Sequence, residues 1–235
     1  MSEAFRPSQP VVTGRFRASN PEHMDARRAA IVAATARVIV THGVDSTRLA
    51  DVAEEAGVSV GLIQHYFRTK DRLVLETFRA AAEQSRDGWR RCVTEDDEPL
   101  VRIARLARFI VTDDDFGMAW GLWVEFYAAS TRNRELRKHV HRIMNLWRAL
   151  FTDCINDGIA RGVLRSNGDV DDAVTRIVAL TDGLAIQTLL GLYEMTTPLM
   201  ESMILDAIGD LFSVDRAALA KASESMAHPP QRAQS

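Results

Sequence analysis

The chain has 235 residues, a formal net charge of −3 and 46% hydrophobic residues. This is enough apolar material for a sizeable buried core, and it excludes global disorder and a uniformly basic nucleic-acid coat. Cys92 and Cys154 match no metal or redox spacing, no apolar run reaches the roughly 18 residues of a membrane span, and no signal-peptide pattern opens the chain. The expectation is a cytoplasmic protein without disulfide, metal or cofactor.

Residues 1–22 carry Pro7, Pro10, Gly14 and Pro21 among Arg6, Arg15 and Arg17, and read as a flexible arm. Asp25 to His42 places Ile31, Ala34 and Val38 on one helical face, and Gly43 follows as a stop. Thr47 is expected to cap a short helix through Glu55. Gly57 breaks it, Ser59 caps a second short helix to about Tyr66, and Thr69 caps a longer one from Lys70 to about Cys92. Further helices are expected over 98–111, 116–130, 133–161, 169–191 and 198–212, and residues 216–235 read as a flexible tail. No region is rich in strand signals. Residues 1–70 hold nine Lys/Arg and seven Asp/Glu, a balance of +2, so residues 71–235 carry −5. The more positive end is the one suited to an anionic partner.

Residues 47–70, TRLADVAEEAGVSVGLIQHYFRTK, have the layout of a helix-turn-helix. Ala53 permits close helix contact, Gly57 permits a positive φ, and Val52, Val58 and Ile63 fill a small core. Val60, Gly61, Gln64 and His65 are then free to face a major groove. The stretch AGVSVGLIQHYFRTKDRL, residues 56–73, resembles the TetR family of bacterial regulators, and most closely its BetI-type subgroup. The resemblance is specific over about residues 27–75, with TDGLAIQTLLG (181–191) supporting it further on.

The resemblance implies an all-α fold: a three-helix DNA-binding domain over 23–70, then a helical ligand-binding and dimerising domain over 71–215. It implies that Thr47 or Arg48 meets phosphate, that Val60, Gly61, Leu62 and Gln64 face base edges, and that Tyr66 and Lys70 bond phosphate. Gln64 has the paired donor and acceptor that read adenine. Ala50 departs from the family, which often has a polar or basic group there. Arg27 and Arg28 suit either a solvated helix start or a phosphate contact.

In the second half, Trp120, Trp123 and Tyr127 line one helical face, Phe116 extends it, and Trp147 lies on the next helix. With Glu125 as counter-charge these rings could hold a cation. BetI-type proteins respond to choline-related compounds, so the resemblance points the same way; an aromatic stripe at this spacing also suits a plain core. Asp182 and Gln187 interrupt an apolar helix, where they could line a pocket or bond across a dimer. His139 and His141 point to different faces, and Asp113–Asp115 lack the spacing of a calcium loop. The expected protein is a homodimer paired through 169–191 and 198–212. It binds a palindromic double-stranded operator and leaves it when a small-molecule effector binds. The alternatives are a helical small-molecule-binding protein or enzyme whose N-terminal helices are structural, and an adaptor working through protein contacts.

Overall fold

The computed structural model describes residues 21–94, 97–111 and 116–224. Residues 1–20 of the arm expected over 1–22, Asp113–Asp115 and residues 225–235 of the expected tail lie outside these residues, and the last two positions of that arm, 21 and 22, instead open the first helix. Among the described residues there are ten α-helices and one 3-10 turn (Leu192–Glu194), with no strand. The helices are α1 (Pro21–His42), α2 (Leu49–Ala56), α3 (Val60–Phe67), α4 (Lys70–Cys92), α5 (Pro99–Val111), α6 (Phe116–Ser130), α7 (Arg134–Ala160), α8 (Val170–Leu190), α9 (Thr197–Phe212) and α10 (Arg216–Glu224).

Local chemistry sets the boundaries of the first helices. The Ser59 hydroxyl accepts from the Leu62 N–H, and the Thr69 hydroxyl accepts from the Arg72 N–H, as N-caps should. Gly57 ends α2 at φ 63°, a conformation that a side chain would strain. Thr47 departs from expectation. The N-cap of α2 is Arg48, without a side-chain cap bond, while the Thr47 hydroxyl donates back to the Gly43 carbonyl at 2.8 Å. Thr47 is itself buried.

Two cores form. The smaller one unites Ile31 and Val38 of α1, Val52 and Ala53 of α2, Ile63 and Phe67 of α3, and Leu73 of α4. The larger one is built by α5 to α9, and α1 and α4 reach it as well, through Ile39 and Val74. Both connecting helices thus bury residues in both cores. α6 crosses close to α1 at Gly121, where an added Cβ would lie 3.1 Å from Val40 Cγ1.

α8 is long and apolar enough to cross a membrane by length and composition. Its inner residues, including Val174, Ile177 and Leu184, are packed into the larger core. Its outer face is not covered: Ile186 is 41% and Leu190 66% exposed, and on α9 Leu199 is 42% and Met203 37% exposed.

The expected tail from residue 216 is corrected at its start. Arg216–Glu224 form α10, which packs on α5 and α9. Leu219 is fully buried, and Arg216 bridges to Asp210 at 2.8 Å. Leu219→Ala is therefore expected to cost about 2–4 kcal/mol in urea unfolding. The exposed Lys221→Ala should stay within about 0.5 kcal/mol. Equal small effects would show that α10 adds nothing to the core.

Candidate functional site

The first surface of interest is the outer face of α3. Ile63 and Phe67, four apart, are buried and fix the helix against the small core. That orientation leaves Val60, Gly61, Gln64 and His65 exposed together on the other side, with Leu62 and Tyr66 half-buried at its flanks. The His65 and Tyr66 rings meet edge to face, their centroids 5.6 Å apart. Arg48 is exposed at the start of α2. Thr47 is not available there, since its hydroxyl is spent on Gly43. Lys70, half-buried at the start of α4, donates from Nζ to the Asp45 carbonyl at 2.7 Å.

Asp45 belongs to the turn between α1 and α2, which is held from the larger domain too. Arg132 donates to the Asp45 carboxylate at 2.5 Å. Glu125, from the middle of α6, accepts from the Val44 N–H at 3.2 Å. Gly43, at φ 82°, lies so close that a Cβ there would sit 3.2 Å from Glu125 Oε2. Glu125 thus corrects the expectation that it faces a cation. It points away from Trp123 and Tyr127 because two residues along a helix turn the side chain through roughly 200°.

Between α1, α4, α5, α6, α7 and α8 lies a cavity of about 1110 Å³. Trp120, Trp123, Tyr127, Trp147 and Asp182 line it, as the sequence suggested; Glu125 and Gln187 do not. Trp89 and Thr181, which the sequence reading missed, do. The rings brace one another. Trp123 stands edge-on to Phe78 at 5.6 Å, Trp89 edge-on to Trp147 at 6.2 Å, and Trp147 stacks on Phe151 at 5.5 Å. The Trp120 indole N–H is taken by the Ile110 carbonyl at 3.1 Å, so this ring offers the cavity only its apolar body. At the mouth, Arg28 donates to Glu76 at 2.6 Å and Arg79 to the same carboxylate at 3.0 Å. The Arg28 guanidinium also lies 5.8 Å from the Phe67 ring centroid.

Two polar groups inside the cavity are poorly served. Thr181 is 4% exposed, and its hydroxyl has no hydrogen-bond partner among the described residues. Burial pushes the Asp182 carboxyl up to about 6, against which a hydrogen bond from Tyr127 works only in part. The Tyr127 phenol is raised in turn, by burial first and by the Asp182 charge second, and its hydroxyl also lies 3.1 Å from the Met144 sulfur. Among the described residues no cluster of His, Cys, Asp or Glu could hold a metal ion.

The Asp182 shift links stability to pH. A free aspartate titrates near 3.9, so between there and about 6 the folded chain keeps a proton that the unfolded chain has lost. Stability then falls as pH rises through this window and stays lower above it. Asp182→Asn removes the effect. The variant should exceed the parent by about 1–3 kcal/mol at pH ~7.5, with the gap closing toward pH ~4, in urea melts at both pH values. A gap that does not change with pH would contradict the buried-charge account.

Residues 31–77 match the family profile described as bacterial regulatory proteins, tetR family. Residues 99–213 match the profile of the BetI-type transcriptional repressor, C-terminal domain. The HTH-type transcriptional regulator BetI of Agrobacterium fabrum is 31% identical over 57% of this chain and 68% of its own length. BetI of Paraburkholderia xenovorans is 30% identical over 67% of this chain and 79% of its own. A transcriptional regulator from Saccharomonospora viridis, solved in complex with choline, superposes with a TM-score of 0.75 at 26% identity, covering 80% of this chain and 98% of that one. With its helix-turn-helix, its cavity-bearing helical domain and these relatives, the chain belongs to the TetR family of ligand-responsive, DNA-binding transcriptional regulators, with a C-terminal domain of the BetI type.

Proposed function

We propose that this regulator is a homodimeric repressor that holds a palindromic operator through α3 and releases it when a cationic effector enters the cavity. The observation that carries the effector reading is the placement of Asp182, a half-buried carboxyl in a cavity lined by aromatic rings. A permanent cation there meets both a counter-charge and ring faces, each face worth about 0.5–2 kcal/mol when desolvated. The complex of the Saccharomonospora viridis neighbour with choline supports the same class. A bound cation favours the ionised carboxylate, so affinity should rise as pH rises through about 6.

The uncovered apolar residues of α8 and α9 support a twofold pairing of these helices. Such a dimer presents two copies of α3. Val60, Gly61, Leu62 and Gln64 face base edges, with His65 beside them, and Arg48, Tyr66 and Lys70 meet phosphate. The Lys70 ammonium has three donors, so its bond to Asp45 leaves two for an anion. Effector binding acts only by its differential affinity for two arrangements of the heads.

The test is binding of the purified protein to DNA from upstream of its own coding region, titrated with choline. A specific, salt-sensitive complex that dissociates on choline addition is expected. No such complex with any upstream fragment would refute the operator reading. Gln64→Ala should change sequence preference by about 1–3 kcal/mol. Lys70→Ala should weaken every sequence and flatten the salt dependence by about one ion. Identical effects of the two would overturn the assigned roles. Glu125→Ala should keep effector affinity while altering the effector-induced loss of DNA affinity by about fivefold. Intact coupling in this variant would remove Glu125 from the transmission.

A further inference from the structure

The cavity is longer than a small cation needs. At about 1110 Å³ it exceeds the roughly 300–1,000 Å³ typical of sites for drug-sized ligands, yet an ammonium group at Asp182 occupies only its more buried end. The rest runs as one continuous space between α1 and α4. On α1 it is lined by Ala29, Val32, Ala33 and Ala36, a single helical face, and on α4 by Ala80 and Ala81. These side chains leave room for an apolar chain, Arg28, Glu76, Arg79 and Glu83 line the same space, and Ala29, Ala33 and Ala80 are exposed, so the groove is reached from solvent. An independent sign of a missing ligand is Thr181, whose buried hydroxyl is unpartnered in the same cavity. A buried hydroxyl left without a partner costs about 1–3 kcal/mol, and a polar group next to a cationic head would satisfy it.

We infer that the natural effector is a cationic amphiphile. Its ammonium head sits at Asp182 among Trp123, Tyr127 and Trp147, a polar linking group meets Thr181, and an unbranched apolar tail lies in the groove between α1 and α4. The inference rests on the cation reading above and adds the tail. Ala29 to Ala36 span about 10 Å at 1.5 Å per residue, which is the extent of an extended chain of roughly eight carbons. The tail touches α1, a helix of the DNA-binding unit, which a head confined to Asp182 does not reach.

Calorimetric titration of the full chain with tetramethylammonium and with butyl-, octyl- and dodecyltrimethylammonium, all below their micelle-forming concentrations, tests this. 1-Octanol serves as the neutral counterpart. Each buried methylene is worth up to about fourfold in affinity, so the octyl ion should bind at least about tenfold tighter than the butyl ion, with little further gain for dodecyl. 1-Octanol should bind at least about tenfold more weakly than the octyl ion. Ala80→Phe, which fills the groove from an exposed position, should flatten the series. Equal affinity for all four ions overturns the tail and leaves the cation reading standing. Octanol binding as tightly as the octyl ion overturns the cation reading, and the proposal with it. No binding by any of them overturns both. An unchanged series in Ala80→Phe overturns the placement of the tail, and the parent protein's own series decides the matter should that variant fail to fold.

Discussion

The constraint on which the rest depends is that α1 and α4 are each buried in two cores at once. In α1, Ile31 and Val38 belong to the small core while their neighbour Ile39 belongs to the large one. In α4, the adjacent Leu73 and Val74 divide in the same way. Close-packed interiors transmit displacement rather than absorb it. Neither helix can shift in the large domain without carrying the small core along. The cavity lies between these two helices and α5 to α8, and at its rim stands the partly exposed Arg28–Glu76–Arg79 cluster, of a kind worth about 0–1 kcal/mol per pair. Rigid walls thus meet at a weakly held opening.

The acid inside the cavity is a standing cost to the fold. At neutral pH Asp182 is ionised at the expense of its burial, and Thr181 keeps an unused hydroxyl beside it. Both penalties fall when a suitable ligand enters. Under the proposed reading, a ligand that relieves both costs gains free energy that a ligand-driven change can draw on.

The features legible in the sequence were those fixed by short-range chemistry. Ser59, Thr69 and Gly57 each act within a few residues, and a 3.6-residue stripe is enough to find the helices and the Trp120–Trp123–Tyr127 face. What failed depended on longer range. Thr47 fits a cap by type, yet its hydroxyl turns back to Gly43, and the cap falls to Arg48. Glu125 lies close in sequence to the rings and Gln187 interrupts an apolar helix, but periodicity gives a face and not what lies opposite it. Of the two polar positions suggested on α8, Asp182 faces the cavity and Gln187 does not. Thr181 carried no signal at all, because a helical threonine ordinarily bonds the carbonyl one turn back. The first residues of the expected tail carry a weak helix signal, because Leu219 alone among the described side chains of α10 is buried.

The opposite faces of α6 bear on how such a protein diversifies. One side holds the rings of the cavity, and the other holds Gly121 against Val40 and Glu125 against the Val44 N–H. Under the proposed function, recognition and transmission occupy separate residues of one helix. A lineage can exchange Trp123 or Tyr127 to suit a new compound without disturbing the grip on the α1–α2 turn. An engineer can do the same, treating the aromatic side as a replaceable cartridge and the glycine–glutamate side as the fixed coupling.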